Sequence, residues 1–180
     1  MAQSYLQAIA YALDTLGFEA QALPLEVDGK QTEHLVVHLL TDDRGRDVFA
    51  QLLFLSNLEE VIGPAVEEIE DGEGMDLLQV YAALPFDYEA EAVPHLARLM
   101  LAMNRYLPIN GFGLDEELGI LFCRHVLFCP GGDVDVRVLV EVLDSMAFFI
   151  EEYGGVLEPV ANGSGSLAEA LAAVSGQVAV

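Results

Sequence analysis

The residues best suited to chemistry are four histidines, two cysteines and thirty acids. His34 and His38 stand four apart, which on a helix would offer two imidazoles to one metal ion. Here they sit in EHLVVHLLT, Glu33 to Thr41, whose β-branched, alternating pattern predicts a strand. On a strand they share a face but stand about 13 Å apart, too far to share one zinc. The surrounding string is not H-E-x-x-H. His95 and His125 have no carboxylate or cysteine signature beside them. All four read as structural histidines. Cys123 and Cys129 fall on one predicted strand, about 20 Å apart by strand rise, so they cannot bridge. They read as small buried hydrophobes. A calcium loop centred on Gly72 fails, because its third position is Ile69 and its twelfth is Leu78, where oxygen ligands are required. Gly111-Phe112-Gly113 lacks the third glycine of a dinucleotide loop and opens no helix. Neither G-x-x-x-x-G-K nor G-x-S-x-G occurs. Carboxylate pairs abound, but thirty acids produce pairs by chance. The expectation is therefore no catalytic residue, no cofactor-binding residue and no metal ligand: a non-enzyme that needs no cofactor.

The charge balance excludes other classes. Thirty acids against seven Lys and Arg give −23 at pH 7 over 180 residues, yet 53% of residues are hydrophobic and only 21% are charged. Disorder needs low hydrophobicity along with high charge, so most of the chain should fold. Nucleic acid and anionic membranes are recognised by Lys/Arg patches, which are missing, so neither is an expected partner. The first residues lack a basic n-region and Asp14 interrupts the first apolar stretch, so no secretory signal is expected. No uncharged apolar run reaches the ~18 residues of a membrane span. With two unpaired cysteines, these features place the protein in a reducing cytoplasm. No Lys or Arg lies between Arg46 and Arg98, and the stretch 57–74 is dense in Glu and Asp. It reads as a solvated loop keeping an apolar protein soluble; the alternative is a surface for a basic partner segment.

The elements that must position these residues follow from capping and periodicity. Ser4 and Gln7 form a capping box for a helix from Tyr5 to Leu16, with Leu6, Ile9, Leu13 and Leu16 on one face and Gly17 as its stop. Phe18 to Val27 is extended and carries Pro24, so it is bent or lies at a sheet edge. Asp28-Gly29 supplies a hairpin turn. Glu33 to Thr41 is a strand, 42–47 a polar turn, and Val48 to Leu55 its return. A short helix interrupted at Gly63-Pro64 is expected within 57–74, followed by a strand from Met75 to Leu84. A second helix lies within Tyr88 to Tyr106 and starts near Pro94. A hairpin follows, Ile109 to Leu114 and Leu118 to Phe128. In Asp133 to Tyr153, valine alternation suggests a strand. A stripe through Val136, Leu139, Leu143, Met146, Ile150 and Tyr153 suggests a helix instead. Its length and Gly154-Gly155 decide for a helix, capped by Asp133 or Asp135. Its apolar arc is wide enough to require burial on more than one side. The expected domain is 1–155. Residues 156–180 read as a flexible tail with a possible short helix at 167–175, entered through a capping box from Ser166 to Glu169.

This order of elements is similar to the type III secretion chaperone-like fold, and most closely to its YbjN-like branch. The residues carrying the resemblance are Leu99-Met100-Leu101-Ala102-Met103-Asn104-Arg105, then Gly113-Leu114-Asp115, Gly119 and Arg124, and the closing helix to Tyr153. The resemblance implies a small, acidic, cytosolic, non-catalytic dimer. Its secretion-chaperone relatives hold an extended segment of a client protein.

The fold class expected is α+β, an antiparallel sheet packed against helices in the order α-β-β-β-β-α-β-β-α. The expected function is a homodimeric, chaperone-like or regulatory adaptor that holds a segment of a partner protein. The rival expectation is a small-ligand-binding protein or enzyme using acidic groups with His34 and His38. An open apolar groove beside an unpaired strand would favour the adaptor; a convergent polar cluster in a closed pocket would favour the rival. The second helix is the expected dimer contact, through Leu96, Leu99, Met100, Met103 and Leu107. The alternative contact is the last helix, through Val138, Val142 and Phe149.

Overall fold

The first helix, α1 (Tyr5–Thr15), begins as its capping box predicts. The Ser4 hydroxyl accepts the Gln7 N–H at 3.2 Å and the Gln7 side chain accepts the Ser4 N–H at 3.1 Å. Gly17 ends it with φ at 95°, a left-handed conformation that a side chain would oppose. This is a computed structural model, and it describes residues 4–27, 30–58 and 74–177. The expected turn at Asp28-Gly29 and the expected helix around Gly63-Pro64 lie outside the described residues.

Six strands follow: β1 (Ala20–Val27), β2 (Lys30–Thr41), β3 (Asp47–Phe54), β4 (Met75–Ala83), β5 (Gly111–Asp115) and β6 (Ile120–Pro130). They form one antiparallel sheet in the order β1-β2-β3-β4-β6-β5. The register sets Leu35 against Leu52, Leu52 against Val80, and Ala82 against Cys123. Alternation then sends one set of side chains inward: Leu35 and Val37, Val48, Ala50 and Leu52, Leu78 and Val80, Leu121 and Cys123 are all buried. Pro24 lies on β1 at the edge of the sheet, where its missing N–H interrupts no ladder. The fold is α+β, with an antiparallel sheet and four helices among the described residues.

The second helix, α2 (Val93–Asn104), carries Pro94 in its first turn. Leu96, Leu99, Met100 and Met103 are all buried inside the protomer, and half-buried Leu107 packs against the same core. The residues expected to make the dimer contact are thus already covered by their own chain. The physical reason is the C-terminal segment. The helix α3 (Val136–Ala161) and a final helix, α4 (Leu167–Gln177), both pack on α2 and take up its broad stripe.

Helix α3 starts where Asp135 accepts the N–H groups of Arg137 at 2.9 Å and Val138 at 3.5 Å. It then runs 26 residues, straight through Gly154-Gly155 and Pro159. The expected stop at the glycines is corrected: glycine weakens a helix but does not end it when the residues beyond bury apolar surface. Leu157, Val160 and Ala161 do so. The expected boundary at 155/156 is corrected for the same reason. The segment after it belongs to the core. α4 is entered through the predicted Ser166–Glu169 capping box and buries Ala170 and Val174. The connecting turn is fixed too. The Gly165 N–H donates to the Pro159 carbonyl at 2.8 Å, and the Glu89 N–H to that of Ala161 at 2.8 Å. The wide apolar arc of α3 is explained by its neighbours, since it touches β2, β6, α1, α2 and α4. No described helix is long and apolar enough to cross a membrane.

Candidate interaction surfaces

The capping box of α1 places Tyr5 and Leu6 over one end of strands β1, β2 and β3. There, Tyr5, Leu6 and Phe54 form an apolar groove with Pro24, Gln31, Thr32 and Glu33, with a volume of 460 Å³. The Tyr5 hydroxyl accepts the Val134 N–H at 2.6 Å, which ties the groove wall to the start of α3, and the Tyr5 and Phe54 ring centroids are 6.1 Å apart. β1 has a sheet neighbour on one side only among the described residues. The opposite edge is closed. The Asn104 side chain accepts the Phe112 N–H and donates to the Phe112 carbonyl, both at 2.9 Å, and so stands in for a further strand beside β5. Tyr88 donates its hydroxyl to the Asp115 carbonyl at 3.2 Å. Gly111, at φ 97°, leaves the room that the Asn104 amide fills.

The second surface is the face of the sheet turned away from the core. The helices bury the other face, as the strict exposed–buried alternation of β3 from Asp47 to Leu52 records. Tyr81 and Phe122 stack across β4 and β6 with centroids 4.9 Å apart, and the Phe122 ring covers Gly113, where no Cβ would fit. Arg124 is the register partner of Tyr81. Phe49 is 46% exposed and Phe128 is 73% exposed. Among the described residues three acids reach this face, all at its periphery: Asp47 and Asp115 at strand ends, and Glu19 just before β1, which with Asp14 lines a 310 Å³ hollow beside Leu23, Val36, His38 and Phe49. Asp47 accepts the Thr41 hydroxyl at 2.6 Å and lies 3.2 Å from His38 Nε2; these bonds hold its carboxyl below the usual range. Asp115 accepts the N–H groups of Glu117 and Leu118 in the β5–β6 turn.

The residues singled out in the sequence are not brought together. His34 and His38 share this open face as expected, but His38 is engaged with Asp47 and Thr41, while His34 Nδ1 is buried without a partner. His95 is exposed on α2. His125 points to the core side of β6, where burial lowers its pKa and its Nδ1 accepts the Asn110 N–H at 3.3 Å. Cys123 and Cys129 are buried free thiols; burial pushes Cys123 up to about 12 and raises Cys129. Among the described residues no group of three or more His, Cys, Asp or Glu side chains is placed to hold a metal ion.

An ionic cluster emerges that sequence reasoning did not find. Glu158, only 8% exposed, accepts from both Arg46 terminal nitrogens, at 2.9 and 3.0 Å, and from Arg44 at 2.7 Å. Arg46 also donates Nε to Asp42 at 2.7 Å and lies over the Phe86 ring, 5.6 Å from its centroid. Asp42 accepts the N–H groups of Arg44 and Arg46, and the bond from Arg46 leads in lowering its pKa. The cluster lines a 260 Å³ cleft. Its charges answer one another, so it clamps the β2–β3 turn to α3 rather than presenting an unpaired reactive group. The partners are 112 residues apart in sequence, and no local pattern links Arg46 to Glu158. The chain matches no protein-family model, no curated protein and no solved structure with which it was compared.

Proposed function

We propose that this protein is a non-catalytic protein-binding module: a homodimeric, chaperone-like or regulatory adaptor of the cytoplasm that holds a segment of a partner protein. The single observation supporting this reading is the apolar groove that runs over β2 and β3 and reaches edge strand β1 at Pro24, lined by Tyr5, Leu6, Pro24 and Phe54. An extended client segment laid along β1 would gain backbone hydrogen bonds from the edge and side-chain contacts from the groove. The molecule's charge of −23 would attract a segment with basic residues flanking its apolar ones, and Glu33 in the groove wall offers one local partner.

Affinity capture of the tagged protein from its native cell, compared with a Pro24→Glu variant, tests the proposal. Pro24 is exposed, so the variant changes the groove without opening the core. A protein that co-purifies with the wild type and is lost from the variant is the expected result. Binding unaffected by Pro24→Glu but abolished by a His34→Ala, His38→Ala double change would favour the rival reading.

A further inference from the structure

We propose that the open sheet face is the homodimer interface, with a second copy of this chain seated on it face to face. The inference rests on the dimeric part of the function proposed above and is independent of the client groove. Its first support is charge. On a molecule of −23, the centre of this face carries Val36, Gln51, Leu53, Gln79, Tyr81 and Arg124 in register, with no acid among them. The acids that reach this face stand at its periphery: Asp47 and Asp115 at strand ends, held in local hydrogen bonds, and Glu19 with Asp14 beside the start of β1. A face built for a basic client would carry carboxylates. One built for a second copy must keep carboxylates off its two-fold axis, where a residue faces its own copy, and the same condition sets Arg124 to one side of that axis. Gln51 and Gln79 suit that arrangement, since an amide both donates and accepts and can pair with its own copy.

Area is the second support. Six strands at ~4.8 Å spacing, each about eight residues long at ~3.3 Å per residue, make a face of roughly 750 Å². Standard protein interfaces bury about 800 Å² per partner. The third support is that α2, the other broad apolar surface in the sequence, is already covered. Two strongly acidic bodies meeting on a neutral face repel through their rims, so association should strengthen as salt screens that repulsion.

Sedimentation equilibrium of the full chain tests the proposal. The wild type should be dimeric at micromolar concentration, with a dissociation constant that falls between 50 and about 500 mM salt, since the Debye length shrinks over that range. Phe128→Glu and Gln51→Glu, both at exposed positions, should each weaken the dimer at least ~10-fold while leaving the thermal unfolding of the monomer intact. Phe148→Glu, on the exposed side of α3, should leave the dimer unchanged. A monomeric wild type, an unweakened Phe128→Glu dimer, or loss of the dimer in Phe148→Glu would each overturn the proposal. Cross-links from position 128 to residues 59–73 of the same chain would overturn it as well, by giving the face an occupant from its own chain. None of these outcomes bears on whether Pro24→Glu releases the client.

Discussion

Glu158 shows how one side chain can join distant parts of this chain. It is buried beside two guanidiniums, and each of its oxygens is answered by a charged donor. The two arginines differ in what they contribute. The Arg46 side chain is 30% exposed and makes a forked contact with Glu158 plus a bond to Asp42, whereas Arg44 is 58% exposed and makes a single contact. Replacing Glu158 with Gln should therefore cost about 2–3 kcal/mol, because a half-buried guanidinium loses its partner. Arg44→Ala should cost no more than ~1 kcal/mol, the ordinary worth of an exposed ion pair. Urea unfolding of the two variants checks the contrast, and equal losses would count against the clamp.

At the scale of elements, α3 is held more by what it covers than by its own propensity. Gly154 and Gly155 interrupt a stretch of good helix formers, and Pro159 cannot donate to the Gly155 carbonyl. The helix persists because Ile150 and Tyr153 before the glycines, and Leu157 and Val160 after them, are buried on one face. A Cβ at either glycine would meet no atom within 4 Å, and neither glycine has a positive φ. Gly155→Ala should thus stabilise the protein by about 0.5–1 kcal/mol, through the smaller entropy of the unfolded chain. A rise in the urea midpoint at unchanged slope is the expected result. The same element shows why a wide apolar stripe is weak evidence for a dimer contact: α3 and α4 consume the stripe of α2.

For the whole molecule, the C-terminal segment decides stability. Truncation after Gly155 removes Leu157, Val160, Ala161, Ala170 and Val174 from the core, together with the Glu158 carboxylate. It also uncovers the α2 residues against which α4 packs. Burial of one Leu or Val side chain contributes about 1.5–3 kcal/mol, and each kcal/mol moves the midpoint by a few degrees in a domain of this size. The truncated chain should melt more than ~10 °C below the full one, or fail to fold. An unchanged melting temperature measured by circular dichroism would show that the segment does not dock.

Local rules carried much of the architecture. The sequence by itself determined the caps at Ser4 and Ser166, the turn at Gly17 and the burial of Cys123 and Cys129, and it narrowed the cap of α3 to Asp133 and Asp135 and Pro24 to a bend or a sheet edge. Each depends on a hydrogen bond or a periodicity within a few residues. It also determined that His34 and His38 lie on one strand face and cannot converge. Only the tertiary structure decided which apolar stripe is spare. The stripe of α2 is the more apolar of the two, yet among the described residues it is the open sheet face that is left uncovered, because α3 and α4 return over α2 and not over that face. The Arg46–Glu158 clamp and the Asn104 cap on β5 were illegible for the same reason. Their partners meet by packing, and a polar side chain in sequence carries no mark of the distant group that will satisfy it.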